Sequence, residues 1–172
     1  TAVAVAEAIE ATGDLQPQLK WPNDVLLHGK KVAGLLNELN AETEQIHYMI
    51  LGIGVNLNMT REQFPADLRT PATSLLIEAG QKVSRLEFAR LLLQKIDGLY
   101  KVYREDGFAP ILRSWEERCR MLGRKVEVDY QHSRVTGIVK GLDEAGALLL
   151  TRADGGEERV VAGDVRLFPE GD

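Results

Sequence analysis

Residues 48–57 constrain this chain most, because they alternate without a break. Met49, Leu51, Ile53 and Val55 fall on one face, and Ile50, Gly52, Gly54 and Asn56 on the other. A period of two predicts a β-strand with one greasy face, while the second face, largely bare backbone, can floor a ligand pocket. Asn56 and Asn58 follow the glycine pair, so this is not the G-x-G-x-x-G turn that opens a dinucleotide-binding helix. Glycine inside a strand is costly without a reason. The pair therefore signals close approach of a ligand, or else a bulge or tight packing against another backbone.

Two polar-punctuated segments precede this strand. In Lys20-Trp21-Pro22-Asn23-Asp24 a proline interrupts a strand-like run over residues 18–27, which predicts a strand end or bulge there. A lysine at such an end can neutralise phosphate charge, and an asparagine can donate and accept toward a nucleotide. The plainer reading is a solvated lysine beside an Asn-Asp turn. After a turn at His28-Gly29, a second strand is expected over residues 31–39, beginning at Lys31 and running through Val32-Ala33-Gly34-Leu35-Leu36. An ammonium at the lip of an apolar pocket can stabilise charge developing on carboxylate and phosphate oxygens. Lys30, beside it in a strand, points to the opposite face and serves as a built-in control. Here too a plain alternative stands, in which both lysines merely solubilise a hairpin.

The rest of the chain reads as mixed helix and strand. Residues 1–12 form an alanine-rich helix with Val3, Val5, Ala8 and Ile9 as its apolar stripe, stopped by Gly13. The chain opens inside this element with no initiator methionine or cap, as expected of a fragment whose upstream part is missing. Residues 58–71 read as a loop and 73–79 as a short helix ended by Gly80. Ser84 and Glu87 have capping-box spacing ahead of a helix carrying Phe88, Leu92, Ile96, Leu99 and Tyr103. Beyond Gly107 another helix, over residues 109–121, turns Ile111, Leu112 and Trp115 inward. The period then drops to two at Val126, Val128 and Tyr130 and at Val135, Gly137 and Val139. Asp143 to Gly146 and Asp154-Gly155-Gly156 supply hairpin turns, so residues 123–172 read as a small β-barrel.

Composition narrows the function classes. A formal charge of −5 gives no support for bulk nucleic-acid binding, and no apolar stretch is long enough to span a bilayer. Cys119 is the single cysteine, which rules out an internal disulfide framework and fits a reducing cytoplasm. His28, His47 and His132 are far apart and lack partners at ligand spacing, so no protein metal site is expected. No Ser-His-Asp or Cys-His constellation is present, and any enzyme here works by positioning and electrostatics. Trp21 and Trp115 are read as core residues.

Taken in order, Lys20-Trp21-Pro22-Asn23-Asp24, Gly29-Lys30-Lys31-Val32-Ala33-Gly34 continuing to Glu38, and Gly52-Ile53-Gly54-Val55-Asn56-Leu57-Asn58 resemble consecutive signatures of bacterial biotin protein ligases. Ser114-Trp115-Glu116 and the segment from Gly137 to Leu150 extend the resemblance over essentially the whole chain. It implies an α/β (α+β) catalytic domain related to class II aminoacyl-tRNA synthetases over residues 1–122, truncated at its N-terminus, and an SH3-like domain over 123–172. It implies ATP and biotin as substrates, with Mg²⁺ arriving on ATP, and biotinyl-adenylate as intermediate. By the same resemblance Lys31 is the catalytic residue, contacting the biotin carboxylate and the activated phosphate. Gly34, Leu36, Gly52 and Gly54 line the biotin floor, Lys20, Asn23 and Asp24 lie toward ATP, and Asn56 toward the adenylate. The implied acceptor is a lysine of the biotin carboxyl carrier protein domain of acetyl-CoA carboxylase, in the cytoplasm. The family's glycine- and arginine-rich adenylate loop and its helix-turn-helix have no counterpart in this sequence, so no DNA-binding domain is expected in it. Gly163-Asp164-Val165-Arg166 occupies the place where relatives bring a basic side chain to ATP. A lipoate-type ligase, and a non-catalytic module that binds a carrier or a second copy of itself as a homodimer, remain the alternatives.

Overall fold

The computed structural model describes residues 1–42, 45–68, 70–130 and 133–168, with the backbone alone for 39–42 and 45–46; His132 lies outside the described residues. The chain is α+β and divides into two compact units, Thr1–Gln18 with Asn23–Asp97, and Leu19–Pro22 with Gly98–Asp172.

In the first unit α1 (Ala2–Glu10) packs on a sheet. Val3, Ala4, Val5, Ala6, Ala8 and Ile9 are all buried, so the helix is enclosed on more sides than its expected stripe of four residues. Small side chains permit this, because alanine loses no rotamer freedom and lets the helix approach its neighbours. The segment of residues 18–27 breaks as expected, into β1 (Gln18–Lys20) and β2 (Asp24–Leu27), around a cis Trp21-Pro22 bond. His28 and Gly29, both at positive φ, turn the chain into β3 (Lys30–Glu42), which pairs antiparallel with β2 and with β4 (Gln45–Val55). Val25, Leu27, Val32, Ala33 and Leu35 supply the buried side of this ladder. The expected greasy face of β4 is only partly enclosed. Ile53 and Val55 are half-buried, whereas Tyr48, Met49, Ile50 and Leu51 are all exposed. A short 3₁₀ turn, Arg61–Gln63, interrupts the following loop. α2 (Leu75–Ala79) starts where Ser74 Oγ accepts from the Ile77 N–H and stops at left-handed Gly80.

α3 (Arg85–Asp106) begins with the Ser84 hydroxyl accepting from the Glu87 N–H at 3.4 Å, as the spacing predicted. Of its expected apolar stripe, Phe88 and Leu92 are buried, Ile96 and Leu99 half-buried, and Tyr103 exposed. The stripe therefore fades along the helix, which periodicity alone does not reveal.

In the second unit α4 (Ala109–Arg118) buries Trp115 and ends three residues before the expected Met121, where Cys119 turns extended and bridges to Leu19. Trp21 is buried in the same unit and donates from Nε1 to Gly146 O at 3.1 Å. β5 (Lys125–Tyr130), β6 (Ser133–Leu142), β7 (Leu148–Thr151), β8 (Glu157–Val160) and β9 (Asp164–Leu167) form an antiparallel sheet in the order β8-β7-β6-β5-β9. Among the described residues this sheet is open, with β8 and β9 at its edges. Both expected hairpin turns are present, and Gly146 and Gly155 sit at positive φ within them. Val126, Val128, Val139, Leu148 and Leu150 make the core beneath. Glycine is required at Gly137, where a Cβ would come within 2.9 Å of Thr151 O.

Candidate functional site

The site begins with a register shift. β2 and β3 pair Val25 with Ala33 but Leu26 with Lys31, which leaves Val32 as an extra residue on β3. Unbroken alternation would put Lys31 on the face opposite Gly34. The bulge instead turns both Val32 and Ala33 into the core and brings Lys31 to the Gly34 side. The lysine stem lies across Gly34: a Cβ built there would meet Lys31 Cε at 2.9 Å and Nζ at 3.0 Å. Glycine is thus the residue that seats this lysine.

Asp24, the cross-strand partner of Gly34, receives the ammonium. Asp24 Oδ1 and Lys31 Nζ form an ion pair, with the carboxylate side chain 14% and the lysine 37% exposed. Oδ1 is buried and has no hydrogen-bond partner, so the two groups meet by charge without the alignment of a hydrogen bond. A partly exposed pair of this kind stabilises the fold by only about 0–1 kcal/mol; its main consequence is where it holds the ammonium. An ammonium carries three donors, and this one keeps capacity for an anion on the open side.

The floor beside it is made of two cross-strand pairs, Gly34 with Gly54 and Leu36 with Gly52. All four residues expected to line a pocket therefore sit on one face, ending at Lys31. The two β4 glycines differ in their reasons. A Cβ on Gly52 would lie 3.1 Å from Leu36 O, a tight backbone approach inside the ladder. A Cβ on Gly54 would meet only Gly34 O at 3.7 Å, an ordinary contact, so packing does not demand glycine there. Leu36 leaves this floor 61% exposed. An apolar strip closed at one end by a cation suits a hydrophobic molecule carrying an anionic group.

Both asparagines are tied into the backbone. Asn23 Nδ2 donates to Leu35 O at 2.7 Å while Asn23 O accepts from the Leu35 N–H at 3.0 Å, fastening the start of β2 to β3. Asn56 Nδ2 donates to Thr73 O at 3.0 Å, and its N–H donates to Val32 O at 2.8 Å. Lys20, at the end of β1, is half-buried and belongs to the second unit, as does Arg166, which pairs with Asp129 at 3.1 Å.

A second polar cluster escaped the sequence reading. Glu78 of α2 accepts from the Thr73 hydroxyl at 2.5 Å, pairs with His28 Nδ1 at 2.7 Å and faces Lys30 Nζ at 3.9 Å. Burial works to raise the Glu78 pKa, but the Thr73 and His28 contacts and the Lys30 charge outweigh it and hold the carboxyl below its ordinary range. The available signal was Thr73-Ser74 opening a helix with Glu78 one turn inside it.

Among the described residues no group of three or more His, Cys, Asp or Glu side chains is placed to hold a metal ion. Asp24 does not suit one, because its buried oxygen already faces an ammonium that would repel a cation.

Comparison with known proteins places the sequence and the fold. Residues 1–56 match the model of the Biotin/lipoate A/B protein ligase family, and residues 121–167 that of the Biotin protein ligase C terminal domain. The bifunctional ligase/repressor BirA of Bacillus spizizenii is 35% identical over 166 residues, covering 96% of this chain and 51% of that protein. The biotin–[acetyl-CoA-carboxylase] ligase of Paracoccus denitrificans is 35% identical over 148 residues, covering 86% of this chain and 61% of that one. The chain thus spans about half the length of BirA and three-fifths of the Paracoccus enzyme. Among solved structures, the apo biotin protein ligase of Aquifex aeolicus superposes with a TM-score of 0.84 at 30% identity, covering 97% of this chain and 72% of that one. The same enzyme in complex with biotin and ATP gives 0.81 at 29%, covering 97% and 68%. Sequence and fold agree, and this chain belongs to the biotin protein ligase family.

Proposed function

We propose that the Lys31 face binds biotin and ATP and serves biotinyl-adenylate formation and biotin transfer to a carrier lysine. The observation that carries this reading is Lys31 seated across Gly34 at the end of the Gly34–Leu36–Gly52–Gly54 floor. The biotin carboxylate attacks the α-phosphorus of ATP, the bond to the bridging oxygen breaks, and pyrophosphate leaves. Lys31 stabilises the negative charge shared by the carboxylate and the α-phosphate as they join. A deprotonated acceptor amine then attacks the acyl carbon of the mixed anhydride and AMP departs. Asp24 holds the ammonium in place, and Lys20 and Asn23 lie toward the ATP phosphates. Asn56 lies toward the adenylate. Mg²⁺, when it enters, is carried by the phosphates of ATP.

The same reading gives a catalytic domain of class II synthetase type over residues 1–122, an SH3-like module over 123–172, and a biotin carboxyl carrier domain as acceptor in the cytoplasm. No helix of the described residues is long and apolar enough to cross a membrane. β4, an edge strand that exposes Tyr48, Met49, Ile50 and Leu51, supports pairing with a second copy of the chain. Sedimentation at two concentrations checks this, and a monomer at both would remove it.

Calorimetric titration with a non-hydrolysable biotinyl-adenylate analogue, beside its lipoyl counterpart, tests the ligand assignment. The biotinyl compound is expected to bind and the lipoyl compound to bind at least about tenfold more weakly, the difference a shaped apolar floor can impose. Equal binding of both, or of neither, would overturn it.

A further inference from the structure

Thr73 is nearly sealed, at 1% exposure, and three of its groups are engaged. Its N–H donates to Lys31 O at 2.9 Å, and its carbonyl accepts from Asn56 Nδ2 at 3.0 Å. Its hydroxyl donates to Glu78 Oε1 at 2.5 Å. The segment it belongs to also takes the Lys31 N–H on Pro71 O at 2.8 Å and runs parallel to β3 through the Lys31–Ala72 bridge. Both backbone polar groups of Lys31 therefore end on Pro71 and Thr73, and the amide of Asn56 ends on Thr73 as well. The hydroxyl anchors this segment to α2 through Glu78, itself held by His28 and Lys30.

We infer that Thr73 is a positioning residue: through its Glu78 anchor it fixes the backbone from which Lys31 projects and the carbonyl that holds the Asn56 side-chain amide, setting both at once. It acts through Lys31 and Asn56, its own hydroxyl being committed to Glu78. The importance for the reaction rests on the reading of Lys31 given above. A displacement of about 1 Å in a charge-stabilising group costs on the order of 10²-fold in rate. Deleting the hydroxyl at constant shape leaves Glu78 Oε1 without a hydrogen bond, facing only the Lys30 charge at 3.9 Å, and releases the segment that holds Lys31.

The test is amide hydrogen exchange on the whole chain for wild type, Thr73→Val and Thr73→Ser, followed by NMR. Thr73→Val should speed exchange at the Lys31 amide by about tenfold or more, leave Val126 and Leu148 unchanged, and be reversed by Thr73→Ser. Glu78→Gln, which retains an acceptor of lower charge, should give a smaller increase of about threefold at the same amide. An unchanged Lys31 amide in folded Thr73→Val overturns the inference, and if that variant does not fold, an unchanged Lys31 amide in Glu78→Gln does so. Titration with the biotinyl-adenylate analogue adds a readout that general destabilisation does not move. Thr73→Val should weaken binding by about tenfold in the wild-type background and by a clearly smaller factor in Lys31→Ala, where only the Asn56 contact is left to lose. Equal losses in both backgrounds overturn the positioning role. If Lys31→Ala alone leaves binding intact, the functional reading of Lys31 fails, while the exchange result still judges Thr73.

Discussion

The two lysines that open β3 stand side by side in sequence and in opposite circumstances. Lys30 faces Glu78, whose carboxylate also holds the Thr73 hydroxyl and His28. Lys31 faces Asp24, whose buried oxygen has the charge contact and no hydrogen bond. The first cluster is complete without any further group and ties α2 to the β2–β3 turn. The second holds a cation against a glycine floor with donor capacity unspent. The Lys31 pair is more open than the Glu78 cluster, and this difference supports the proposed division between a scaffold lysine and a ligand-facing one.

The largest effect that could break this comparison comes from exchanging the two truncations. On the proposed function, Lys31→Ala should lower biotinyl-adenylate formation in the complete protein by about 10²-fold or more, the size of a lost charge-stabilising donor. Lys30→Ala should change it by less than about twofold and alter stability by at most about 1 kcal/mol. Radiolabelled pyrophosphate exchange with denaturant melts reads both quantities, and equal losses would end the distinction.

A smaller effect distinguishes the glycines. Gly34→Ala puts a methyl 2.9 Å from Lys31 Cε and should displace the lysine, weakening the biotinyl-adenylate analogue by about 10–100-fold. Gly54→Ala meets nothing closer than 3.7 Å. It should leave stability within about 0.5 kcal/mol while still weakening the analogue, because on the proposed function the ligand fills that space. Undiminished binding by Gly54→Ala would return this glycine to an ordinary strand residue.

The smallest effect is a pH dependence confined to the Lys30 side. The Glu78 carboxyl is held below its ordinary value in the folded chain. Its contribution is therefore fully present above the unfolded-state pKa and is lost as pH falls through the folded value. Melting temperatures measured from about pH 6 down to about pH 3, across the ordinary glutamate range, should fall less steeply in Glu78→Gln than in wild type. Parallel curves would remove Glu78 from the acid response.

Much of the fold followed from local pattern. The break at Pro22, the His28-Gly29 turn, the Ser84 cap and the Gly146 and Gly155 hairpins depend on residues within a few positions of one another, and each is present where the sequence put it. The glycine floor was equally accessible, since the period of a strand assigns residues to faces without knowledge of the partner. Patterns that depend on a distant partner read less well. The greasy stripe of α3 runs on in sequence to Tyr103, yet only Phe88 and Leu92 are buried, because a periodic face says nothing about whether another element covers it. The Thr73–Glu78–His28–Lys30 cluster joins residues up to 50 positions apart and was invisible for the same reason.

By itself, then, the sequence determined the order of the elements, the glycine-lined face of β4 and the family to which the chain belongs, all of which rest on short-range chemistry and ordered motifs. The motif resemblance named Lys31, but only tertiary structure shows how that lysine comes to meet the glycine-lined face. Strict alternation would place Lys30 with Gly34. The extra residue at Val32 exists only in the pairing with β2, and it exchanges the two. A register shift is a property of two strands, so no reading of one strand could contain it.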